Sequence, residues 1–123
     1  MEINQITREI IDSAYKVHSK LGPGLLESAY KKCLIFELKK KGFLVEEEKP
    51  LPLIYESINL EYGYRIDILV ENKVIVELKT VDSICDVHVA QVLTYLRLSE
   101  KRVGLLFNFY TAHLKDGIKR IIL

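Results

Sequence analysis

Two apolar runs separated by only three polar residues constrain the fold of this chain most strongly. Residues 64–70 and 74–79 are rich in Ile, Leu and Val, and Glu71-Asn72-Lys73 separates them. Runs of this length and composition are typical of buried β-strands, and so short a connection joins neighbouring antiparallel strands. The sequence therefore predicts a β-hairpin in which Val70 lies opposite Val74.

Two helices are predicted before this hairpin. Apolar residues three or four apart between Ile3 and Leu21 indicate an amphipathic helix, which Gly22-Pro23-Gly24 ends. A second helix is predicted at residues 25–41, because Lys39-Lys40-Lys41-Gly42 is typical of a helix end. One side of this second helix is predicted to carry Leu26, Ala29, Tyr30, Cys33 and Phe36.

The other predicted elements complete a mixed sheet. Alternation from Phe43, followed by Pro50 and Pro52, indicates an edge strand or the approach to one. The remaining predicted elements are a helix that opens at Ser83-Ile84-Cys85-Asp86 and runs to about Ser99, and strands at 102–109 and 119–123. This order predicts one α/β domain over residues 1–123, with a mixed central sheet flanked by helices on both faces.

Length, composition and charge narrow the functional classes. A chain of 123 residues is expected to form one domain. Its formal net charge of +1 argues against the class of strongly cationic proteins that wrap nucleic acid. No apolar run approaches the roughly 20 residues that span a bilayer, so no membrane partner is expected. Cys33 and Cys85 cannot build a disulfide scaffold, which predicts a cytoplasmic protein with reduced thiols.

Charged residues interrupt the two strands of the hairpin. Counting outward from the pair of Val70 and Val74 places Asp67 directly opposite Glu77. Side chains alternate along a strand, so Lys79 lies on the same face as Glu77. Cross-strand partners have Cβ atoms about 4.5–5.5 Å apart. Two carboxylates at that separation repel each other unless a proton or a cation lies between them.

A hard divalent ion suits this acid pair, because Mg²⁺ takes oxygen ligands and keeps several waters for substrate phosphates. Lys79 would then orient or activate a water, or stabilise negative charge that develops on a phosphate. A structural ion pair on a solvated face explains the same residues, and single surface pairs are common. The residues of the hairpin alone leave both interpretations open.

Several motifs along the chain resemble a known family. Asp67 followed by Glu77-Leu78-Lys79 resembles the D…ExK signature of the PD-(D/E)xK nuclease superfamily. The segment from Gly24 to Tyr30, GLLESAY, is similar to the motif that names the GxxExxY protein family, a small branch of that superfamily. The proline that often begins the superfamily motif is absent here. Three further blocks are similar to the family pattern: His18 before residues 21–24, His88 to Gln91 through Leu96, and Gly104 to Phe109.

The resemblance implies a restriction-endonuclease-like fold with an αβββαβ core and an extra N-terminal helix. It also implies that Asp67, Glu77 and the main-chain carbonyl of Leu78 bind Mg²⁺ or Mn²⁺. Glu27 would supply a further carboxylate, directly or through a bound water, and Lys79 would be the catalytic lysine. The implied activity is hydrolysis of phosphodiester bonds, with DNA favoured over RNA as the nucleic-acid substrate.

The third predicted helix contributes to the same implied site. Gln91 and Tyr95 resemble the QxxxY motif of RecB-like nucleases, which supports the active site from the helix after the hairpin. His88 extends their polar stripe, and it either contacts a phosphate or caps the cleft. Arg65, two residues before Asp67, either binds a phosphate or neutralises the acidic cluster.

Other residues have purely structural explanations, and these stay open. Glu27 falls in the first turn of its helix, where the dipole favours a carboxylate in any protein. Tyr30 is predicted to be a core tyrosine with a satisfied hydroxyl, and His18 to hydrogen-bond carbonyls at its helix end. Basic residues that qualify for phosphate contacts are Lys31, Lys32, Lys39 to Lys41, Lys101, Arg102, Lys115, Lys119 and Arg120.

The sequence thus predicts a metal-dependent nuclease, either as a homodimer or with a partner protein, since one small copy offers little surface to a duplex. The alternative is a non-catalytic module on the same fold that binds nucleic acid or another protein.

Overall fold

The computed structural model describes residues 1–61 and 63–123. Its helices are α1 (Ile3–Leu21), α2 (Glu27–Lys40) and α3 (Asp86–Ser99), with a 3-10 helix at Leu114–Gly117. Its strands are β1 (Val45–Pro50), β2 (Leu53–Tyr55), β3 (Ile58–Leu60), β4 (Arg65–Val70), β5 (Val74–Lys79), β6 (Val103–Asn108) and β7 (Ile118–Ile122).

Five of these strands form one mixed sheet in the order β1-β4-β5-β6-β7. The β5 and β6 strands are parallel, and the other neighbouring pairs are antiparallel. Parallel neighbours need a crossover, which α3 supplies between β5 and β6. The elements α2, β1, β4, β5, α3 and β6 form the predicted αβββαβ core, with α1 as the extra N-terminal helix. The predicted α/β class is therefore confirmed.

Two apolar clusters cover the two faces of the sheet. The first joins buried residues of α1 and α2 to the β5 residues Val74, Val76 and Leu78. The second joins α3, through Val92 and Leu96, to the opposite face of the same strands. The alternation of each strand therefore serves both clusters, as expected of a sheet that is buried on both faces.

The hairpin has the predicted register. Val70 pairs with Val74, and the ladder continues to Ile68 opposite Val76. Glu71 and Asn72 have φ values of 54° and 53°, and the Lys73 amide donates to the Val70 carbonyl over 3.0 Å. Positive φ at both central residues gives the turn a twist that suits antiparallel strands.

The predicted apolar side of α2 is correct only in part. Tyr30 is fully buried and Cys33 packs against the core, but Leu26 is 76% exposed and Phe36 is 63% exposed, and the other fully buried residues of the helix are Leu34 and Leu38. Apolar residues occupy more than one side of this helix, so spacing alone could not decide which side faces the sheet. By contrast, the predicted stripe of α1 is confirmed by the burial of Ile6, Ile10, Ala14 and Val17.

Some elements of the structure were not predicted, and two predicted elements begin at a different residue from the one predicted. The short β2–β3 hairpin forms a separate two-stranded sheet, and the 3-10 helix precedes the last strand. The second helix starts at Glu27 rather than residue 25, and β7 starts at Ile118. Within residues 1–61 and 63–123, no helix combines the length and the apolar character that crossing a membrane requires.

Candidate active site

The β4 and β5 strands bring Asp67 and Glu77 into direct contact. The Leu78 amide donates a hydrogen bond to Asp67 Oδ2 over 3.0 Å, and the Asp67 amide lies 3.5 Å from Glu77 Oε1. The two carboxyl groups are therefore held close together by main-chain amides of the two strands. Glu77 is 3% exposed and is held away from bulk water, whereas Asp67 is half-buried.

Burial controls the charge of this pair. The pKa of Glu77 is raised to about 10. Burial away from solvent is the largest cause, and the neighbouring Asp67 carboxyl group with its negative charge is the next. Lys79 opposes this shift but is the smallest of the named influences. Without a cation, Glu77 is therefore protonated at neutral pH. A bound cation would replace that proton.

The N-terminus of α2 places a third carboxyl group, that of Glu27, within electrostatic range of Asp67. Burial, and then the negative charge of Asp67, raises the pKa of Glu27, while Lys79 and Lys31 lower it. Glu27 is the first residue of α2 and is half-buried. Its coupling to both Asp67 and Lys79 agrees with the predicted position beside the hairpin.

Tyr30 fixes the turn that presents Glu27. Its hydroxyl donates to the Gly22 carbonyl over 2.5 Å and accepts from the Leu25 amide over 3.1 Å. Gly22 and Gly24 have φ values of 68° and 107°, a region that glycine adopts without steric cost. The prediction of a core tyrosine with a satisfied hydroxyl is confirmed.

Phe109 and His18 support this turn from the sheet side. The Phe109 ring stacks on Tyr30 with centroids 4.7 Å apart, and its amide donates to the Lys79 carbonyl. His18 Nε2 donates to the Thr111 carbonyl over 2.8 Å. The prediction that His18 bonds carbonyls at its own helix end is wrong, because the loop after β6 supplies a closer acceptor.

The ion pair of Lys31 with Glu48, at the edge of the site, was not predicted from the sequence. Lys31 lies one turn after Glu27 and forms a salt bridge with Glu48 of β1. The negative charge of Asp67 also helps to raise the pKa of Lys31. The i, i+4 spacing from Glu27 was a usable signal for Lys31. Glu48 carried no such signal, because it reaches the site only through the pairing of β1 with β4.

The α3 helix supplies two further residues near the acids. Gln91 Nε2 donates to the Tyr95 hydroxyl over 3.3 Å, and Tyr95 is 7% exposed. Burial is the largest cause that raises the pKa of Tyr95, and the negative charges of Glu77 and Asp67 raise it further. The predicted Gln91–Tyr95 pair therefore exists and lies within electrostatic range of the acid pair.

A protein-family comparison matches residues 4–121 to a model described as the PD-(D/E)XK nuclease superfamily. The chain belongs to this superfamily. Comparisons with curated proteins and with solved structures each returned no match. Membership indicates a nuclease, and PD-(D/E)XK nucleases generally use divalent metals.

The acid pair of this PD-(D/E)XK chain fits a divalent ion through its donor chemistry. In the part of the chain that the structure describes, no group of three His, Cys, Asp or Glu side chains is arranged to hold a metal. Mg²⁺ keeps several waters and is commonly bound through one or two carboxylates. Asp67, Glu77 and the Leu78 carbonyl offer such an oxygen set, and the repulsion within the acid pair favours a cation.

Two predicted residues have other partners. The Arg65 guanidinium lies 3.4 Å from the Glu48 carbonyl and lines a separate cleft beside Pro50 and Tyr64. His88 Nδ1 accepts a hydrogen bond of 3.0 Å from the Cys85 amide and so caps the N-terminus of α3. Binding of nucleic acid by Arg65 and His88 stays a prediction.

Proposed function

We propose that this chain is a divalent-metal-dependent nuclease that hydrolyses phosphodiester bonds, with DNA preferred over RNA. The observation that carries the proposal is the contact of Asp67 with Glu77, in which the Asp67 amide lies 3.5 Å from Glu77 Oε1 and Glu77 is buried, with Lys79 two residues further along β5. Superfamily membership supports the activity and is the basis for the expected substrate. The single-domain assignment of residues 1–123 belongs to the proposal and is supported by the sheet that both apolar clusters share.

Asp67, Glu77 and the Leu78 carbonyl would hold Mg²⁺ or Mn²⁺, and Glu27 would add a carboxylate directly or through water. Such an ion, when bound, polarises the phosphate and lowers the pKa of an attacking water. The role of Asp67 is supported by its bond from the Leu78 amide, which holds one carboxylate oxygen in place.

Lys79 is the proposed catalytic lysine. Its positive charge lowers the pKa values of both Glu77 and Glu27, so its ammonium group lies within electrostatic range of both acids. From this position it would orient the attacking water and stabilise negative charge on the phosphate. Gln91 and Tyr95 would support the wall of the site through their mutual hydrogen bond.

We further propose that the chain belongs to the GxxExxY branch. Gly24, Glu27 and Tyr30 fit the motif, and each has a physical role in this structure. Gly24 permits the turn, Tyr30 ties the turn together, and Glu27 is thereby presented toward the acid pair. A different residue at any of these positions would disturb the placement of the helix N-terminus.

The test is a cleavage assay on DNA and RNA with Mg²⁺, with Mn²⁺ and with a chelator. We expect metal-dependent cleavage that Lys79→Ala lowers by at least about 100-fold, the usual cost of losing a transition-state contact. Lys39→Ala is the matched control, because Lys39 lies about 18 Å along α2 from Glu27. Equal loss in both variants, or no cleavage by the unaltered protein with any metal, would contradict the proposal.

A second candidate function is a non-catalytic module that binds nucleic acid or another protein. The observation that favours it is the lack, among residues 1–61 and 63–123, of a preformed three-residue metal cluster. The two functions differ in their response to Lys79→Ala: a binding module retains its affinity and shows no cleavage with either protein.

A further inference from the structure

We propose that a cleft between the C-terminal half of α1 and residues 112–115 binds a phosphate group of the nucleic-acid strand, next to the active site. This inference rests on the proposed function and adds a second contact with the same substrate. The cleft has a volume of about 580 Å³. Its polar side chains are Tyr15, His18 and Ser19 on one wall and His113 and Lys115 on the other.

The chemistry of the lining favours an anion. The Lys115 ammonium, the His113 imidazole and two hydroxyl groups face the cleft, and all of them can donate hydrogen bonds to phosphate oxygens. None of the described residues that line it is Asp or Glu. The four other clefts that the structure describes each contain at least one acid: Glu37, Glu61, Asp12, or Asp82 with Asp116.

His18 is the fixed element of the cleft. The ring is 7% exposed, and its Nε2 lies 2.8 Å from the Thr111 carbonyl. A carbonyl only accepts, so Nε2 carries a proton and Nδ1 is the remaining polar atom of a ring that lines the cleft.

Both walls of the cleft are tied to the elements that carry the proposed catalytic residues. The Phe109 amide donates to the Lys79 carbonyl over 2.9 Å. The first wall begins at Ala112, three residues after Phe109 and therefore at most about 11 Å from it. On the other wall, the Gly22 carbonyl accepts from Tyr30, one turn after Glu27. The loop that forms the first wall starts at the paired ends of β5 and β6, where Lys79 lies opposite Asn108, so a strand that contacts Lys79 can extend along this edge of the sheet toward the cleft.

Tyr15 offers a way to distinguish a nucleotide from free phosphate. Its ring is 38% exposed at the edge of the cleft. Bases stack on aromatic side chains in proteins that bind single strands. We therefore assign the phosphate to a nucleotide whose base stacks on Tyr15, and Tyr15 has no corresponding role for inorganic phosphate.

The first experiment titrates the metal-free protein with inorganic phosphate and follows the histidine ring resonances by NMR. We expect shifts at His18 and His113, and a loss of affinity of at least about 10-fold in a double variant with His113→Ala and Lys115→Ala. Lys73→Ala, which removes an exposed lysine that donates to the Met1 carbonyl near the opposite end of α1, should bind phosphate as the unaltered protein does. Equal affinity in the double variant would overturn the proposal.

The second experiment uses a short single-stranded DNA oligonucleotide under the same metal-free conditions. Tyr15→Ala should weaken oligonucleotide binding while phosphate binding is unchanged, and an unchanged oligonucleotide affinity would overturn the assignment to a nucleotide. Neither titration requires cleavage. Failure of the cleavage assay would therefore refute the nuclease, whereas failure of these titrations would refute only the cleft. Thermal unfolding of each variant verifies that these exposed positions leave the fold intact.

Discussion

Asp67 and Glu77 lie side by side, with the Asp67 amide 3.5 Å from Glu77 Oε1, at a position where Glu77 is 3% exposed. An acid in such a place stays protonated or requires a cation, because a buried negative charge beside a second carboxylate is strongly unfavourable. The predicted function depends on this unfavourable interaction between the two carboxyl groups. Two measurable properties of the protein, the pH dependence of its stability and its stabilisation by metal, depend on it as well.

The first property is the dependence of stability on pH. The folded-state pKa of Glu77, about 10, lies above its ordinary value of 4.5, so the folded protein binds this proton more tightly than the unfolded chain. The resulting stabilisation is complete below pH 4.5 and is lost as the pH rises toward 10. Denaturant unfolding without metal should therefore give a free energy that falls across this window.

The variant Glu77→Gln isolates this contribution. It keeps a neutral side chain of similar shape, so at pH 7 the metal-free variant should be more stable by up to about 3 kcal/mol. Its free energy of unfolding should also vary less between pH 5 and pH 9. A variant as pH-dependent as the unaltered protein would show that another group controls this behaviour.

The second property is stabilisation by metal. A cation that binds only the folded state at 100 times its Kd adds about 2.7 kcal/mol of stability. For a chain of this size, that corresponds to an increase in Tm of roughly 5–15 °C. Thermal unfolding with MnCl₂ should show this increase, and Asp67→Asn should abolish it. Glu61→Gln, a change at an exposed acid, should retain it.

Loss of the Tyr30 hydroxyl should loosen the start of α2. Tyr30→Phe removes the donor to Gly22 and the acceptor for Leu25, and we expect a loss of about 1–3 kcal/mol in unfolding free energy. Cleavage should also fall, because the turn that presents Glu27 is no longer tied. Tyr55→Phe, at a ring that is 63% exposed, is the control. An equal effect of both changes would argue against the role of the hydroxyl.

The two adjacent lysines of α2 should differ in their effect on catalysis. Lys31 acts on Glu27 and pairs with Glu48, whereas Lys32 pairs with Glu47 on the outer surface. Lys31→Met removes a charge that lowers the pKa of Glu27, so the acidic limb of the pH–rate profile should move upward. Lys32→Met should leave that limb in place, and identical profiles for both variants would contradict this expectation.

Gly104 is required by the packing of β6 against α3. A Cβ atom at this position would lie 2.7 Å from Val92 Cγ1, so Gly104→Ala should destabilise the protein by about 1–3 kcal/mol. Val92→Ala in the same chain should restore part of that loss, because it removes the opposing methyl group. A double-mutant cycle of unfolding free energies measures the coupling between the two positions.

The local parts of the structure were predictable from the sequence. The register of the β4–β5 hairpin follows from the length of its turn, and its ladder ends at Ile68 opposite Val76. Extending that register by one pair predicted the contact of Asp67 with Glu77 without knowledge of the rest of the fold. The same holds for Gln91 and Tyr95, because helical spacing fixes their separation. Each of these relations spans ten residues or fewer.

Long-range relations were not predictable in this way. Glu48 approaches the site through the pairing of distant strands, and His18 finds its acceptor 93 residues away at Thr111. The exposed sides of Leu26 and Phe36 depend on which side of α2 packs on the sheet. In each case several partners were chemically equivalent in the sequence, and only the packed chain selected one.

The turn at Glu71-Asn72-Lys73 has a significance that its position far from the acids does not suggest. Inserting or deleting one residue there would slip β5 against β4, and a slip of one exchanges the two faces of a strand. Glu77 and Lys79 would then face away from Asp67 even though none of the three had been altered. Homologous chains should thus vary hardly at all in the number of residues in this turn.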